Sequence, residues 1–371
     1  MKPQLKPNCP NFSSGPCAKR PGYQLEQLNN DALGRSHRSK IGKAQLAQAI
    51  ELTHQLLDLP EGYRVGIVPG SDTGAMEMVM WSLLGEKAVD LFSWESFGKG
   101  WFTDVTKQLK LEQVNHYSSD YGQLPDMNQA NPDNDCIFTW NGTTSGVAVP
   151  NGDWINSQRS GLTICDATSA VFAMPLPWEK LDVVTYSWQK ALGGEGAHGV
   201  IILSPRAVER LESYQPTWPM PKVFRLTQGG KLIEGIFKGE TINTPSMLCV
   251  ADYVDALQWV ESLGGVSASI KKSQQNLEVI KQFVAENDWI SFLAQQPEIL
   301  SNTSVCLTLK ASSDQVKSII ALLDQEQVAF DIGAYRDAPA GLRIWCGATV
   351  EQEDLSRFMP WLAWAYRQVC L

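Results

Sequence analysis

The chain has 371 residues, 43% hydrophobic and 19% charged, with a formal net charge of −9 and a pI near 5.1. That length exceeds the roughly 250–300 residues at which single cores stop growing, so two lobes are expected, and the composition excludes a disordered chain. The acidic balance argues against nucleic acid or an anionic membrane as a partner; an anionic small substrate would need a local basic cluster. Eight cysteines (Cys9, Cys17, Cys136, Cys165, Cys249, Cys306, Cys346, Cys370) are scattered without a C-x-x-C pair, and several fall inside apolar runs. They read as reduced core thiols, with neither a disulfide framework nor a metal site. The N-terminus lacks the apolar segment of a signal peptide, and no apolar run could span a bilayer, so a cytoplasmic protein is expected.

Residues 1–21, rich in Pro, Asn, Ser and Gly, read as an extended arm. Gly34 to Lys40 is a basic loop holding Arg35, His37, Arg38 and Lys40; on composition it is equally a solvated surface loop. A helix is expected from about Ala44 to Leu57, with Leu46, Ile50, Thr53 and Leu57 on one face. Tyr63–Val68 reads as a strand that breaks at Pro69-Gly70-Ser71-Asp72-Thr73-Gly74-Ala75 into a helix from Met76 to Leu84. Strand, Gly/Ser/Thr turn and helix together can aim free N–H groups at a phosphate, although a plain connection has the same pattern. It is not a Walker A loop, since no G-K-[ST] closes it.

Alternation continues. A strand near Ala88–Ser93 precedes a helix carrying Trp101. Asp135–Trp140 leads to Asn141-Gly142-Thr143-Thr144, and Gly161–Cys165 leads to Asp166. Val183–Tyr186 then delivers Ser187-Trp188-Gln189-Lys190 and a glycine-rich loop before the apolar run Val200–Leu203. Strands alternating with helices, with Thr, Asp and Gly loaded at the strand ends, indicate an α/β domain with a mostly parallel sheet and its site at the carboxyl ends. A lysine between two buried strands can lose solvation and act as a nucleophile or Schiff-base donor; taken alone it is also an ordinary loop lysine. Gly194-Glu195-Gly196-Ala197-His198-Gly199 matches G-x-G-x-x-G by letter. It runs into a strand where a dinucleotide fingerprint would open a helix, so a nicotinamide site is rejected.

Beyond a helix at Pro205–Tyr214 and the Asn243-Thr244-Pro245 turn, a long helix (Ser246–Leu263) joins a smaller α+β lobe. Its expected elements are a helix at Ala268–Asn287, a strand at Ser304–Leu309 and a helix at Ser313–Gln325. Short strands near Val328 and at Leu342–Cys346 follow, then a last helix from Glu351 with Leu355, Phe358, Leu362, Tyr366 and Val369 on one face. The expected division is arm 1–21, large domain 22–262 and small domain 263–371.

Gln189-Lys190, Ser36-His37-Arg38-Ser39, Asn243-Thr244-Pro245, Asp166 and Thr143 together resemble the phosphoserine aminotransferase family of class V aminotransferases, which have the type I pyridoxal phosphate fold. The resemblance implies pyridoxal 5′-phosphate held by Asp72, Thr73, Gly74, Ala75, Trp101, Thr143, Asp166, Gln189 and Lys190. Lys190 and Asp166 would be the catalytic pair: Lys190 would carry the cofactor and shuttle a proton, and Asp166 would face the pyridine nitrogen. Trp101 would stack on the ring, though with 13 tryptophans in the chain it is also a plain core residue. Asn243 and Thr244 would reach the phosphate of the other subunit, implying a homodimer with shared sites.

Arg343 matches the family's clamp for the α-carboxylate, a two-bond geometry that lysine cannot copy. His37, Arg38 and Arg336 match the group that binds the substrate phosphate. The implied substrates are O-phosphoserine, 3-phosphohydroxypyruvate, glutamate and 2-oxoglutarate, with a possible vitamin B6 intermediate. Tyr335 stands where many relatives have histidine, and Asn141-Gly142-Thr143 replaces the commoner Asn-Glu-Thr. The rival readings are a serine–pyruvate or alanine–glyoxylate aminotransferase, a cysteine desulfurase, and a silent binding protein of the same fold. No metal is expected.

Overall fold

The computed structural model describes residues 1–371. Seven strands form the main sheet: β1 (Arg64–Pro69), β2 (Val89–Ser93), β3 (Val114–Ser118), β4 (Asp135–Thr139), β5 (Thr163–Asp166), β6 (Val183–Tyr186) and β7 (His198–Leu203). Their order is β1-β7-β6-β5-β4-β2-β3, and only β7 runs antiparallel to its neighbours. β2, β4, β5 and β6 are buried along their whole length, which is why they read as continuous apolar runs.

Alternate residues serve opposite faces. Ile137, Ile164, Val183 and Ile201 pack with α2 (Ser71–Leu83) in one core. Phe138, Cys165, Val184 and Ile202 enter a second core with α1 (Lys40–Leu56) and α5 (Met247–Leu263). The remaining large-sheet helices are α3 (Ser96–Thr103) and α4 (Pro205–Ser213). A second sheet holds β8 (Ile290–Phe292), β9 (Ser304–Leu309) and β10 (Leu342–Trp345), all antiparallel, beside α6 (Val266–Ala285), α7 (Ser313–Gln325) and α8 (Gln352–Cys370).

Three expectations need correcting. α2 begins at Ser71, so most of the expected turn is helix. Gly70 takes a left-handed φ of 86° that lets the chain turn directly from β1, and a Cβ on Gly74 would sit 2.2 Å from the Pro69 carbonyl. The run near Val328 forms no strand: Val328 and Ala329 are buried, and Phe330 makes one isolated bridge to Asn11. β3, with exposed Asn115 and His116, is an edge strand that the apolar pattern missed.

The arm is extended but fastened. Phe12 is fully buried and stacks on Phe358 at 5.0 Å; its carbonyl accepts from Trp345 N at 2.9 Å, and Cys17 N donates to the Gln189 carbonyl at 2.9 Å. The arm therefore joins α8 and β10 to the Gln189-Lys190 segment.

Candidate active site

At the carboxyl ends of β4, β5 and β6 lies a cavity of about 110 Å³. It gathers Asp72, Thr73, Trp101, Thr143, Asp166, Gln189 and Lys190 from the sequence reading, and adds Glu95, Phe97, Thr139, Asn141 and Thr168. Buried Asp72 Oδ1, Thr139 Oγ1 and Thr168 Oγ1 have no hydrogen-bond partner within the protein. Such clustered unsatisfied atoms mark a space shaped for a polar ligand. A larger hollow of about 570 Å³ lies near the Tyr214–Gly230 loop. It contains no lysine, and its carboxylate, Glu212, is paired with Lys231.

Lys190 is 8% exposed, and its Nζ donates to the Gly15 carbonyl at 2.8 Å and also to that of Ser14. Burial holds its pKa below the ordinary lysine range; Arg343 pushes the same way, while Cys17, Asp166 and Glu95 oppose. Asp166 ends β5, where Trp101 Nε1 donates to Oδ2 at 3.1 Å and Thr168 N donates to Oδ1 at 3.0 Å. Trp101 thus holds Asp166 through its indole N–H and also lines the cavity, as does Phe97, 38% exposed, whose ring centre lies 5.6 Å from that of Tyr335. Thr143 Oγ1 donates to Ser169 Oγ at 2.7 Å. α2 has no side-chain cap; Ser71 N donates to the Ala197 carbonyl and Gly74 N to that of Gly70, which leaves the N–H groups of Asp72 and Thr73 for an anion. Gly74 and Ala75 lie in that turn without lining the cavity; Ala75 is fully buried.

Glu95 was missed because a carboxylate after an apolar strand gives no signal by itself. Fully buried, it accepts from Gly98 N at 2.8 Å, Thr144 N at 3.3 Å and Thr144 Oγ1 at 2.8 Å, tying the start of α3 to the 141–146 turn. Burial pushes its pKa up to about 7 against those hydrogen bonds. Glu95→Ala is expected to cost about 1–3 kcal/mol in denaturant unfolding, as orphaned buried donors do.

Arg343, on β10, has a buried Nε without a partner, and its guanidinium lies 5.6 Å from the Tyr335 ring centre. Arg336 lies 5.2 Å from the same ring, so Tyr335 gathers both arginines. His37, Arg38, Asn243 and Thr244 are not at this chain's cavity. They share another region: Gly239 packs on the backbone of Lys43 and Ala47, and Lys43 pairs with Glu240 at 2.7 Å, which joins the 239–244 segment to the start of α1. Arg38 and Thr244 are exposed, and His37 is buried with Nε2 unpartnered.

Residues 131–344 match the family described as Aminotransferase class-V. Along 369 residues, all of both chains, the sequence is 60% identical to the phosphoserine aminotransferase of Methanosarcina barkeri (strain Fusaro / DSM 804). The chain belongs to the class-V aminotransferase family. A phosphoserine aminotransferase from Cytophaga hutchinsonii superposes with a TM-score of 0.82 at 21% identity, covering 95% of this chain and 97% of that one. An alanine–glyoxylate aminotransferase from Nostoc sp. gives 0.81 at 17%, covering 99% and 97%. Similarity at this level establishes the class-V fold alone and does not separate the two activities.

Proposed function

We propose that the protein is a phosphoserine aminotransferase that uses pyridoxal 5′-phosphate. The full-length 60% identity to a protein of that name carries this reading. The residues present fit the cofactor: a buried lysine, a carboxylate fixed by two N–H donors, unclaimed polar atoms and an uncapped helix start converge on one cavity. When bound, pyridoxal phosphate supplies an electron sink for charge developing at the substrate Cα.

Asp166 would hold the cofactor's ring nitrogen, where a carboxylate favours the protonated ring. The first turn of α2 (Asp72, Thr73, Gly74, Ala75) and Gln189 take the phosphate through backbone and amide donors. Trp101 would stack on the ring while its indole N–H holds Asp166, and Phe97 lines the same cavity. Lys190 would hold the cofactor through its amine and would be the group that moves a proton at the substrate Cα. Thr143 stands beside the ring oxygen. Arg343 clamps the α-carboxylate, and Arg336 with His37 and Arg38 of a second copy takes the substrate phosphate. Glutamate gives its amino group and leaves as 2-oxoglutarate; 3-phosphohydroxypyruvate receives it and leaves as O-phosphoserine, in serine biosynthesis. A phosphorylated intermediate of pyridoxine synthesis fits the same groups.

A homodimer is part of this reading. None of His37, Arg38, Asn243 and Thr244 lines this chain's own cavity, and the segments that carry them are joined by Gly239 on Lys43 and Ala47 and by the Lys43–Glu240 pair. Co-expressing Lys190→Ala with a His37→Ala/Arg38→Ala variant should restore activity in hybrid dimers that neither has alone. No helix is long and apolar enough to cross a membrane; eight free cysteines, five of them buried, support a cytoplasmic setting. The division into arm 1–21, large domain 22–262 and small domain 263–371 belongs to this reading.

The experiment compares phosphorylated and unphosphorylated oxo acids. Phosphorylated acceptors should be strongly preferred, and Arg38→Ala should lower kcat/KM for them about tenfold or more, while leaving the weak unphosphorylated reaction alone. Equal rates would favour the alanine–glyoxylate type of activity instead.

A further inference from the structure

The turn that carries Asn243 and Thr244 is tied to the main sheet by one buried side chain. His198, the first residue of β7, is 3% exposed, and its Nε2 accepts a hydrogen bond from Ser246 N at 3.2 Å. A backbone N–H can only donate, so Nε2 carries no proton and the ring hydrogen sits on Nδ1, which is buried without a partner. Burial pushes the His198 pKa down to about 4, which keeps the ring in that neutral form at ordinary pH. The imidazole stacks on Trp188 at 5.3 Å, and Trp188 stacks on Tyr253 of α5 at 4.3 Å, so the ring is held in place from its face.

Ser246 is the N-cap of α5 and directly follows Asn243-Thr244-Pro245. The side-chain hydrogen bonds inside that turn are local: Thr241 Oγ1 donates to the Asn243 carbonyl at 2.6 Å, and Asn243 Nδ2 donates to the Thr244 carbonyl at 3.2 Å. These bonds shape the turn. The His198 bond fixes where it stands against the sheet.

The main chain at the same place serves this chain's own cavity. The Ala197 carbonyl accepts from Gly70 N at 3.3 Å and Ser71 N at 3.2 Å, at the start of α2. The His198 carbonyl accepts from Ser187 Oγ at 2.8 Å, and the same hydroxyl also donates to the Gln189 side chain. A change of side chain at His198 therefore spares the contacts that shape the local cavity and removes the hold on Ser246.

We propose that His198 is a positioning residue that acts across the dimer: its imidazole sets the 243–246 turn that completes the cofactor-phosphate site of a second copy, while its backbone serves the cavity of its own chain. This rests on the assignment of Asn243 and Thr244 to the other subunit's phosphate. A residue that merely fills space beside Trp188 would need a ring but no acceptor.

The test uses His198→Phe, which keeps a ring against Trp188 and cannot accept, and His198→Gln, which returns an acceptor oxygen. Hybrid dimers are assembled from two differently tagged full chains, one of them Lys190→Ala, so that borohydride reduction fixes pyridoxal phosphate only on the other. The labelled fraction is read by mass spectrometry against cofactor concentration. His198→Phe on the Lys190→Ala chain should raise the concentration needed for half-labelling on the order of tenfold, the effect of losing one hydrogen bond. The same substitution on the Lys190-bearing chain should leave it near the natural value. His198→Gln on the Lys190→Ala chain should restore most of the loss. Both arrangements carry the same two substitutions per dimer, so a general loss of folding would lower labelling equally in each. Equal shifts in the two arrangements would overturn the proposal, as would a shift confined to the Lys190-bearing chain or a glutamine variant no better than phenylalanine. A natural chain that forms no reduced adduct would refute the proposed function and this inference together; an adduct with equal hybrids refutes the role of His198 alone.

Discussion

Replacing Lys190 with alanine is expected to lower transamination by about 10³- to 10⁴-fold, the range for removing a positioned proton-transfer group that also acts as the nucleophile. The structure explains why no other amine should substitute. The cavity has no second lysine among its lining residues, and the Lys190 amine is held inside by the Ser14 and Gly15 carbonyls. Burial already holds its pKa below the ordinary lysine range, which raises the neutral fraction of the amine at any given pH. Covalent attachment of the cofactor, read by mass spectrometry after borohydride reduction, should disappear in Lys190→Ala while the fold, read by circular dichroism, persists. Retention of the reduced adduct at position 190's variant, or of more than a tenth of the activity, would place the chemistry elsewhere.

The second large effect concerns Arg343. Lysine at this position should lower kcat/KM by about 10- to 100-fold, because a point charge cannot make the two parallel bonds of a guanidinium with a carboxylate. Both half-reactions should fall together: glutamate and O-phosphoserine share the α-carboxylate that Arg343 grips. This separates it from Arg38, whose removal should affect the phosphorylated substrate alone. Stability should not suffer, because Arg343 Nε has no partner in the protein to lose. Steady-state kinetics with both amino donors, alongside a thermal melt, test all three points. A loss confined to one donor would remove Arg343 from the shared clamp.

Much of the fold was visible in the sequence because the central strands are buried on both faces. Unbroken runs such as Cys136-Ile137-Phe138 and Val183-Val184 carry a strong signal, and their polar ends mark where the site opens. Periodicity also located α7 at Ser313–Gln325 and most of α8. Edge elements were harder: β3 alternates partly exposed and exposed positions and carries His116, so it resembles a loop. The start of α2 was hidden because Gly70, Ser71 and Thr73 look like a turn, while the left-handed cap at Gly70 allows helix from the next residue.

For the site, the types of residue were legible but not the directions of their side chains. Asp166 and Lys190 follow from strand ends. Nothing in the letters reveals that the indole N–H of Trp101 meets Asp166, or that Phe97, four residues earlier, lines the same cavity. Asp72 counted as part of a backbone cradle, and only the fold shows that its side chain is buried with Oδ1 unpartnered. Glu95 joins Gly98 to Thr144, a contact between segments 46 residues apart, counting 144 minus 98, that no local pattern records.

The fastening of the arm has a consequence for biosynthesis. Phe12 finds its seat on Phe358 and Trp345, which are synthesised more than 300 residues later. The carbonyls that hold the Lys190 amine belong to the same early stretch. Domains can condense as they are made, but this pocket cannot close behind its lysine until the last helix has been synthesised.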